Sequence, residues 1–192
     1  LEFRRVLFRS TAQTLDSKDY AADAARKALE EAIDRRNEPG KMLPSGSGHW
    51  IARYEIVKPG RVTVIIPTRD LADVLEVCLR SIFTLTTYED YEVLVVDNGS
   101  VEAKTRELFD RWTDKEPDRF RVVTYDAPFN YSSINNYAAS QTTSPYLLLL
   151  NNDTEVIDGD WMTAMVEQAQ RESIGAVGAT LQIGRASCRE RV

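Results

Sequence analysis

Apolar residues along the chain fall into short β-branched or leucine-rich runs, alternating with amphipathic stretches and punctuated by clusters of Asp, Asn, Gly and Pro. The run Val62-Thr63-Val64-Ile65-Ile66, ended by Pro67, predicts a buried strand. Leu71, Val74, Leu75, Cys78, Leu79 and Ile82 then recur at helical spacing and predict a helix over about Ala72–Leu85 with these residues on its buried face. Tyr91–Val96 predicts a second strand, running into Asp97-Asn98-Gly99-Ser100, with Ser100 as N-cap of a helix carrying Val101, Thr105, Leu108 and Trp112. Phe120–Tyr125 reads as a third strand, Tyr131–Gln141 as a short helix, and Pro145–Leu150 as a fourth strand leading into Asn151-Asn152-Asp153. A helix over about Asp160–Glu172, burying Trp161, Met165 and Ala169, and one more strand over Ile174–Leu181 complete the series. Such alternation predicts an α/β fold, a mainly parallel sheet with helices on both faces. Ligands of such sheets bind beyond the carboxyl ends of the strands.

The segment before this series has a different character. Ser17–Arg36 is rich in Ala, Glu and Lys/Arg, with Tyr20, Ala24, Leu29 and Ile33 near helical spacing, and it stops at the breaker Asn37-Glu38-Pro39-Gly40. Leu43–Gly48 reads as a flexible loop and Trp50–Val57 as an edge strand. Residues 11–56 are therefore expected to be a helical lead-in with an edge strand, and residues 57–182 the ligand-binding part. Residues 1–10 (LEFRRVLFRS) and 183–192 (IGRASCRERV) are Arg-rich and lack a sustained period, and read as non-native flanks. A genuine basic tail at each end is the other reading of them.

Setting the flanks aside changes the charge. Each adds two net positive charges, so the formal −6 of the whole chain becomes about −10 for the remainder. So acidic a domain argues against a nucleic-acid surface, and a phosphate-bearing ligand would call for a divalent cation. The longest unbroken apolar stretch, Tyr146–Leu150, is far short of the roughly 20 residues a membrane helix needs. Cys78 and Cys188 form no CxxC pair or disulfide framework, which together with the lack of a signal peptide pattern predicts a cytoplasmic protein.

The chemistry is expected where the strands end. Pro67-Thr68-Arg69-Asp70, Asp97-Asn98-Gly99-Ser100, Asp126 with Phe129 and Asn130, and Asn151-Asn152-Asp153-Thr154 all offer small polar or acidic groups to one crevice, suiting a ligand rich in hydroxyls and phosphates. The same residue types also form ordinary turns and caps. A carboxylate at Asp153 could hold a hard cation whose other ligands are water and phosphate. Other motifs are missing: no GxGxxG follows the first strand, and neither GxxxxGK[ST] nor GxSxG occurs. The single histidine, His49, lies in the Gly/Ser-rich lead-in, which excludes zinc sites and histidine triads of the usual kind.

Three motifs in order, VTVIIPTRD (Val62–Asp70), VVDNGS (Val95–Ser100) and LLLLNNDTEV (Leu147–Val156), closely resemble the family-2 glycosyltransferases, above all the rhamnosyltransferase-like group that builds bacterial surface polysaccharides. The resemblance covers about Trp50–Leu181. It implies a GT-A (Rossmann-like) fold, here incomplete at its C-terminal end, and an inverting transfer from a nucleoside-diphosphate-sugar, UDP- or dTDP-linked, with Mg2+ or Mn2+. The acceptor implied is a glycan or lipid-linked glycan, and the place of work the cytoplasm, peripheral to the inner face of the plasma membrane. By resemblance Pro67 and Thr68 line the nucleoside pocket of the donor site, to which Arg69 also belongs, Asp97 accepts a hydrogen bond from the base, and Asn98 lies close by. Asn151-Asn152-Asp153 stands where the family has its DxD motif, making Asp153 the metal ligand.

Two departures bear on this expectation. The first acidic position of DxD is Asn151, and the loop Ala127–Tyr131 lacks the Lys or Arg many members carry, leaving Phe129 or Tyr131 to stack on the base and Asn130 to bond a polar edge. The family's general base lies further along, and nothing after Leu181 resembles that segment. The chain is thus expected to retain donor binding at most, as an inactive part of a hexosyltransferase-type enzyme. Rival readings are a non-catalytic nucleotide-sugar-binding module, favoured by Asn151, and a sugar-nucleotide pyrophosphorylase, which would want a Gly-rich loop where Pro67-Thr68-Arg69-Asp70 stands.

Overall fold

The computed structural model describes residues 19–45, 50–179 and 181. His49, Cys188 and both flanks lie outside them, as does the side chain of Tyr20. Contacts divide the chain into two compact units, Leu1–Glu55 and Ile56–Val192.

In the first unit, helix α1 (Asp19–Arg35) is followed by strands β1 (Gly40–Pro44) and β2 (Trp50–Tyr54). Asn37, left-handed at φ 52°, ends the helix, with the Asn37 and Glu38 N–H groups donating back to the Asp34 and Ile33 carbonyls. That pairing closes the last turn as a Schellman motif. β1 and β2 form an antiparallel ladder from Gly40↔Tyr54 to Pro44↔Trp50, so Leu43 and Pro44, read above as loop, are strand. Gly40 is needed there: a Cβ would sit 2.6 Å from the Arg53 carbonyl oxygen.

The second unit holds β3 (Val62–Thr68), α2 (Ala72–Leu85), β4 (Tyr91–Asp97), α3 (Ala103–Lys115), β5 (Phe120–Thr124), α4 (Tyr131–Ser140), β6 (Tyr146–Leu149) and α5 (Trp161–Ala169). Its four strands are parallel in the order β5-β4-β3-β6. The expected α/β sheet is present, and β3, buried throughout except at Pro67, is its spine. The chain moves from β3 outward through β4 to β5, then α4 carries it back across to the opposite side of β3. Right-handed crossovers in opposite directions put their helices on opposite faces. Accordingly α2, α3 and α5 share one core with Val62, Val64 and Ile66, while Ile134 and Ala138 of α4 pack on Ile65, Leu94 and Val96 behind the sheet. This reversal leaves a crevice at the carboxyl ends of β3 and β6, the usual ligand position of such sheets. β5 and β6 are the edge strands, and along β6 only Leu148 is buried, with Leu147 and Leu149 exposed on the other face.

Several local expectations need correcting. Leu71 and Val74 are exposed, because the chain turns through left-handed backbone at Asp70 and Leu71 (φ 54° and 59°) before α2 begins. Ser100 is not the cap of α3, which starts later, at Ala103, with Glu102 in the cap position; Val101 precedes the helix and is exposed. α5 buries Met162, Val166 and Glu167, one position round from the face expected. Ile174–Ala179 forms no strand and adds none to the β5-β4-β3-β6 sheet; at Gly175 and Gly178 a side chain would meet no neighbour, so nothing there packs the backbone into a ladder.

Candidate functional site

Four loops meet beyond the carboxyl ends of the strands, and hydrogen bonds between them fix their shapes. Asn98 is buried and clips two loops together: its N–H donates to the Thr68 carbonyl (2.9 Å), and its Nδ2 donates to the carbonyls of Tyr125 (2.9 Å) and Ala127 (2.8 Å). Asp97 closes the turn after β4, its Oδ1 accepting the Ser100 N–H three residues on at 2.9 Å, and Gly99 inside that turn takes φ 79°, which its lack of a Cβ allows. The β3–α2 loop is clasped from the next loop. The Asp70 carboxylate accepts the N–H groups of Val101 and Glu102, both at 2.9 Å, and its own N–H donates to the Ser100 hydroxyl at 2.8 Å. Asp70 thereby caps the amino end of α3 from outside the helix. Nothing local in the sequence could have announced this role, since its partners stand 31 and 32 residues away.

The loop after β6 leans on α2. The Ser81 hydroxyl accepts the Val156 N–H at 3.0 Å, and the Thr154 hydroxyl donates to the Asn151 carbonyl at 2.8 Å. Cys78 packs beneath, 3.9 Å from both the Asn151 carbonyl oxygen and the Thr154 hydroxyl. Burial, with the Asp153 charge adding to it against the Thr154 hydrogen bonds, pushes the Cys78 thiol up to about 11. It stays protonated and is a core residue, as its place on the apolar stripe implied.

These loops enclose a cleft of about 330 Å³ lined by Pro67, Thr68, Arg69, Asn98, Phe129, Tyr131, Asn151 and Asn152. Asn152 is tied across it, Nδ2 donating to the Thr68 hydroxyl at 3.0 Å. Phe129 and Tyr131 present exposed rings at the mouth. Six of the residues read from sequence as donor-binding thus share one cleft: Pro67, Thr68, Arg69, Asn98, Asn151 and Asn152. Three others lie off its lining. Asp97 is held in its turn, Asn130 caps α4 by accepting the Ser133 N–H at 3.0 Å, and Asp153 is exposed in the loop just after the lining asparagines.

The donor set around Asp153 decides how a cation could be held. Among the described residues no group of three or more His, Cys, Asp or Glu side chains is placed to ligate a metal. A single carboxylate beside two asparagines fits a cation whose shell is completed by water and ligand phosphates, the habit of Mg2+, and does not fit a closed protein cage.

Comparison with known proteins follows the same lines. The family model for Glycosyl transferase family 2 matches residues 63–189. The chain is 38% identical over 163 residues to the O-antigen biosynthesis protein RfbC of Myxococcus xanthus, an alignment covering 85% of the chain and 12% of that protein. It is 42% identical over 176 residues to the uncharacterized protein y4gI of Sinorhizobium fredii (strain NBRC 101917 / NGR234), covering 90% and 19% respectively. The chain therefore spans less than a fifth of either relative. Among solved structures it resembles the mannosyltransferase PcManGT from Pyrobaculum calidifontis in complex with GDP-Man and Mn2+ (TM-score 0.61, 22% identity, 87% of this chain and 46% of that one). It also resembles GalNAc-T7 with UDP, GalNAc and Mn2+ (TM-score 0.57, 16% identity, 68% and 24%). At these identities the structural likeness speaks for the fold alone, a GT-A fold.

Proposed function

The chain belongs to glycosyl transferase family 2, and from that premise we propose that it is the donor-binding part of an inverting glycosyltransferase acting in cell-surface polysaccharide synthesis. The single observation that carries this reading is the cleft at the β3/β6 reversal, where Thr68, Asn98, Asn151 and Asn152 bring hydroxyl and amide groups together with two exposed aromatic rings. Amide and hydroxyl groups suit the hydroxyl-rich ribose and sugar, and exposed rings are the platforms on which bases stack. The structural neighbours named above are complexes with GDP-Man or UDP, so a nucleoside-diphosphate-sugar is the ligand class proposed, with UDP, dTDP and GDP as the forms to test.

Asp153 is the proposed protein ligand of Mg2+ or Mn2+, shared with the donor diphosphate. When bound, such a cation neutralises charge building up on the leaving diphosphate. The remaining residues orient: Asn152 and Thr68 brace each other across the cleft, and Asn98 fixes the loop that carries Phe129. Inverting transfer also needs a carboxylate within hydrogen-bond reach of the acceptor hydroxyl. None of the cleft-lining residues is an acid. We therefore assign to this chain donor binding without turnover, the general base being supplied by another part of the protein. The acceptor in this reading is a glycan or lipid-linked glycan. No helix among the described residues is long and apolar enough to cross a membrane, and the same reading puts the domain in the cytoplasm, peripheral to the inner membrane face.

The test is calorimetric titration of UDP, dTDP and GDP into the chain with and without Mn2+, for wild type and Asp153→Ala. Binding strengthened by Mn2+, with that strengthening lost in the variant, is the expected result. Sugar transfer by the isolated chain would overturn the assignment of binding without turnover. A non-catalytic nucleotide-sugar module is the second reading, favoured by Asn151 in the first DxD position. It would be preferred if the longer protein lacked transfer activity while binding donor normally.

A further inference from the structure

The cleft lining contains one charged residue, Arg69. The chain as a whole is acidic, yet this wall is positive. The Arg69 side chain is exposed and has no hydrogen-bond or ion-pair partner among the described residues. Its nearest acid in sequence, Asp70, is spent elsewhere, on the N–H groups of Val101 and Glu102. The backbone that carries Arg69 is also held. Thr68 on one side is bonded to Asn98 and Asn152, and Asp70 on the other is locked in left-handed backbone by its clasp on the next loop. The loop thus fixes the root of an unneutralised guanidinium beside Asn151 and Asn152, where an acid of the usual motif is absent.

We propose that Arg69 is the anchor for the diphosphate of the donor, so that this site holds a nucleoside diphosphate in part without a metal. The inference rests on the donor-site reading above and adds to it a specificity: the cleft prefers diphosphates to nucleosides by virtue of a guanidinium, with the cation at Asp153 secondary for binding. A guanidinium fork matches phosphate oxygens in a bidentate way that an ammonium does not. Removing such a charge-assisted contact weakens binding by roughly ten- to a hundredfold.

The experiment is titration of UDP, dTDP and GDP, and of uridine, thymidine and guanosine, into wild type, Arg69→Gln, Arg69→Lys and Asp153→Ala, each in chelator and in Mn2+. Expected in chelator is a diphosphate that still binds wild type and Asp153→Ala, binds Arg69→Gln about tenfold or more weaker, and is partly rescued by Arg69→Lys. Affinity for the matching nucleoside should be unchanged in Arg69→Gln. Because Arg69 is exposed and unpartnered, all variants should melt like wild type, and circular dichroism checks that. Binding that vanishes in chelator, or that is the same in Arg69→Gln, overturns the role of Arg69 while leaving a metal-dependent donor site standing. No binding of any diphosphate to the folded wild type in Mn2+ overturns the donor site itself, and this inference with it.

Discussion

The parallel sheet has a polar cleft at each end, and the two are built on opposite terms. At the amino ends of the strands a cleft of about 500 Å³ is lined by Arg61, Glu92, Arg121 and the Ser140–Ser144 turn. Nearly every polar group there is engaged by a neighbour. Glu92 accepts from the Thr63 hydroxyl (2.7 Å) and from Arg121 (3.2 Å at each oxygen), Thr63 and Thr142 lie within 2.9 Å, and Arg61 pairs with Asp90 at 3.0 Å. At the carboxyl ends the cleft is smaller, but Arg69 and the Asp153 carboxylate have no such partners among the described residues. Size would select the wrong end. Unused hydrogen-bonding and charge capacity, held on a fixed backbone, is what distinguishes a place for a ligand from a place that completes the fold.

Mutations at the two ends should therefore separate stability from binding. The largest effect is expected for Glu92→Ala, which takes from Arg121 its carboxylate partner and from the buried Thr63 hydroxyl its charged acceptor, leaving Arg121 the Gln141 carbonyl and Thr63 the Thr142 and Ser144 hydroxyls. A loss of about 2 kcal/mol in denaturant unfolding is expected, with nucleotide affinity unchanged in calorimetry. A loss of binding at wild-type stability would erase the contrast. Asp70→Ala sits on the border between the two behaviours. Removing the external cap of α3 should cost about 1 kcal/mol of stability and also weaken diphosphate binding several-fold by freeing Arg69, whereas Asp70→Asn, which keeps an acceptor oxygen, should recover much of both.

The smallest effect is one of pH. Burial alone would raise the Glu92 carboxyl, but hydrogen bonds from Arg121, Thr63 and Thr142, with the Arg121 charge, hold it below its ordinary value of 4.5. A depressed folded value means the stabilisation is fully present above the unfolded value and is lost as pH falls through the folded one. Glu92→Gln should flatten the acid limb of the stability profile below about pH 4.5 and leave the profile near neutrality parallel to wild type. An unchanged acid limb would remove Glu92 from the amino-end account.

Much of this was legible in the sequence because periodicity reports burial directly. From Val62 to Ala169 every strand and helix has its expected type, since β3 is buried on both faces and reads as a continuous β-branched run. The misses share a physical cause, dependence on partners distant in sequence. Ile174–Leu181 is strand-like in composition, yet a strand exists only where another supplies its hydrogen bonds, and Ile174–Ala179 joins none of the four strands of the sheet. Ser100 looks like a cap, but its hydroxyl is taken by Asp70 of the preceding loop. In the candidate site the loops could be named, because polar residues after parallel strands converge. Which of them face the cleft could not. Asp97 and Asn130 are as prone to turns and caps as Asn98 and Asn152, and only the fold reveals that the first two are held in a turn and a cap.

The edge strand β6 has a consequence for the behaviour of the molecule in bulk solution. Among the described residues nothing pairs with its outer side, and the exposed leucines Leu147 and Leu149 flank that free row of backbone groups. Open apolar edges of this kind promote strand-to-strand contact between copies. Colloidal repulsion from a formal net charge of −6 opposes the contact, and salt shortens its reach to about 8 Å at 0.15 M. Dilute, low-salt solutions are thus the regime in which the domain stays dispersed, and concentrated, salty ones the regime in which its edge sets the solubility.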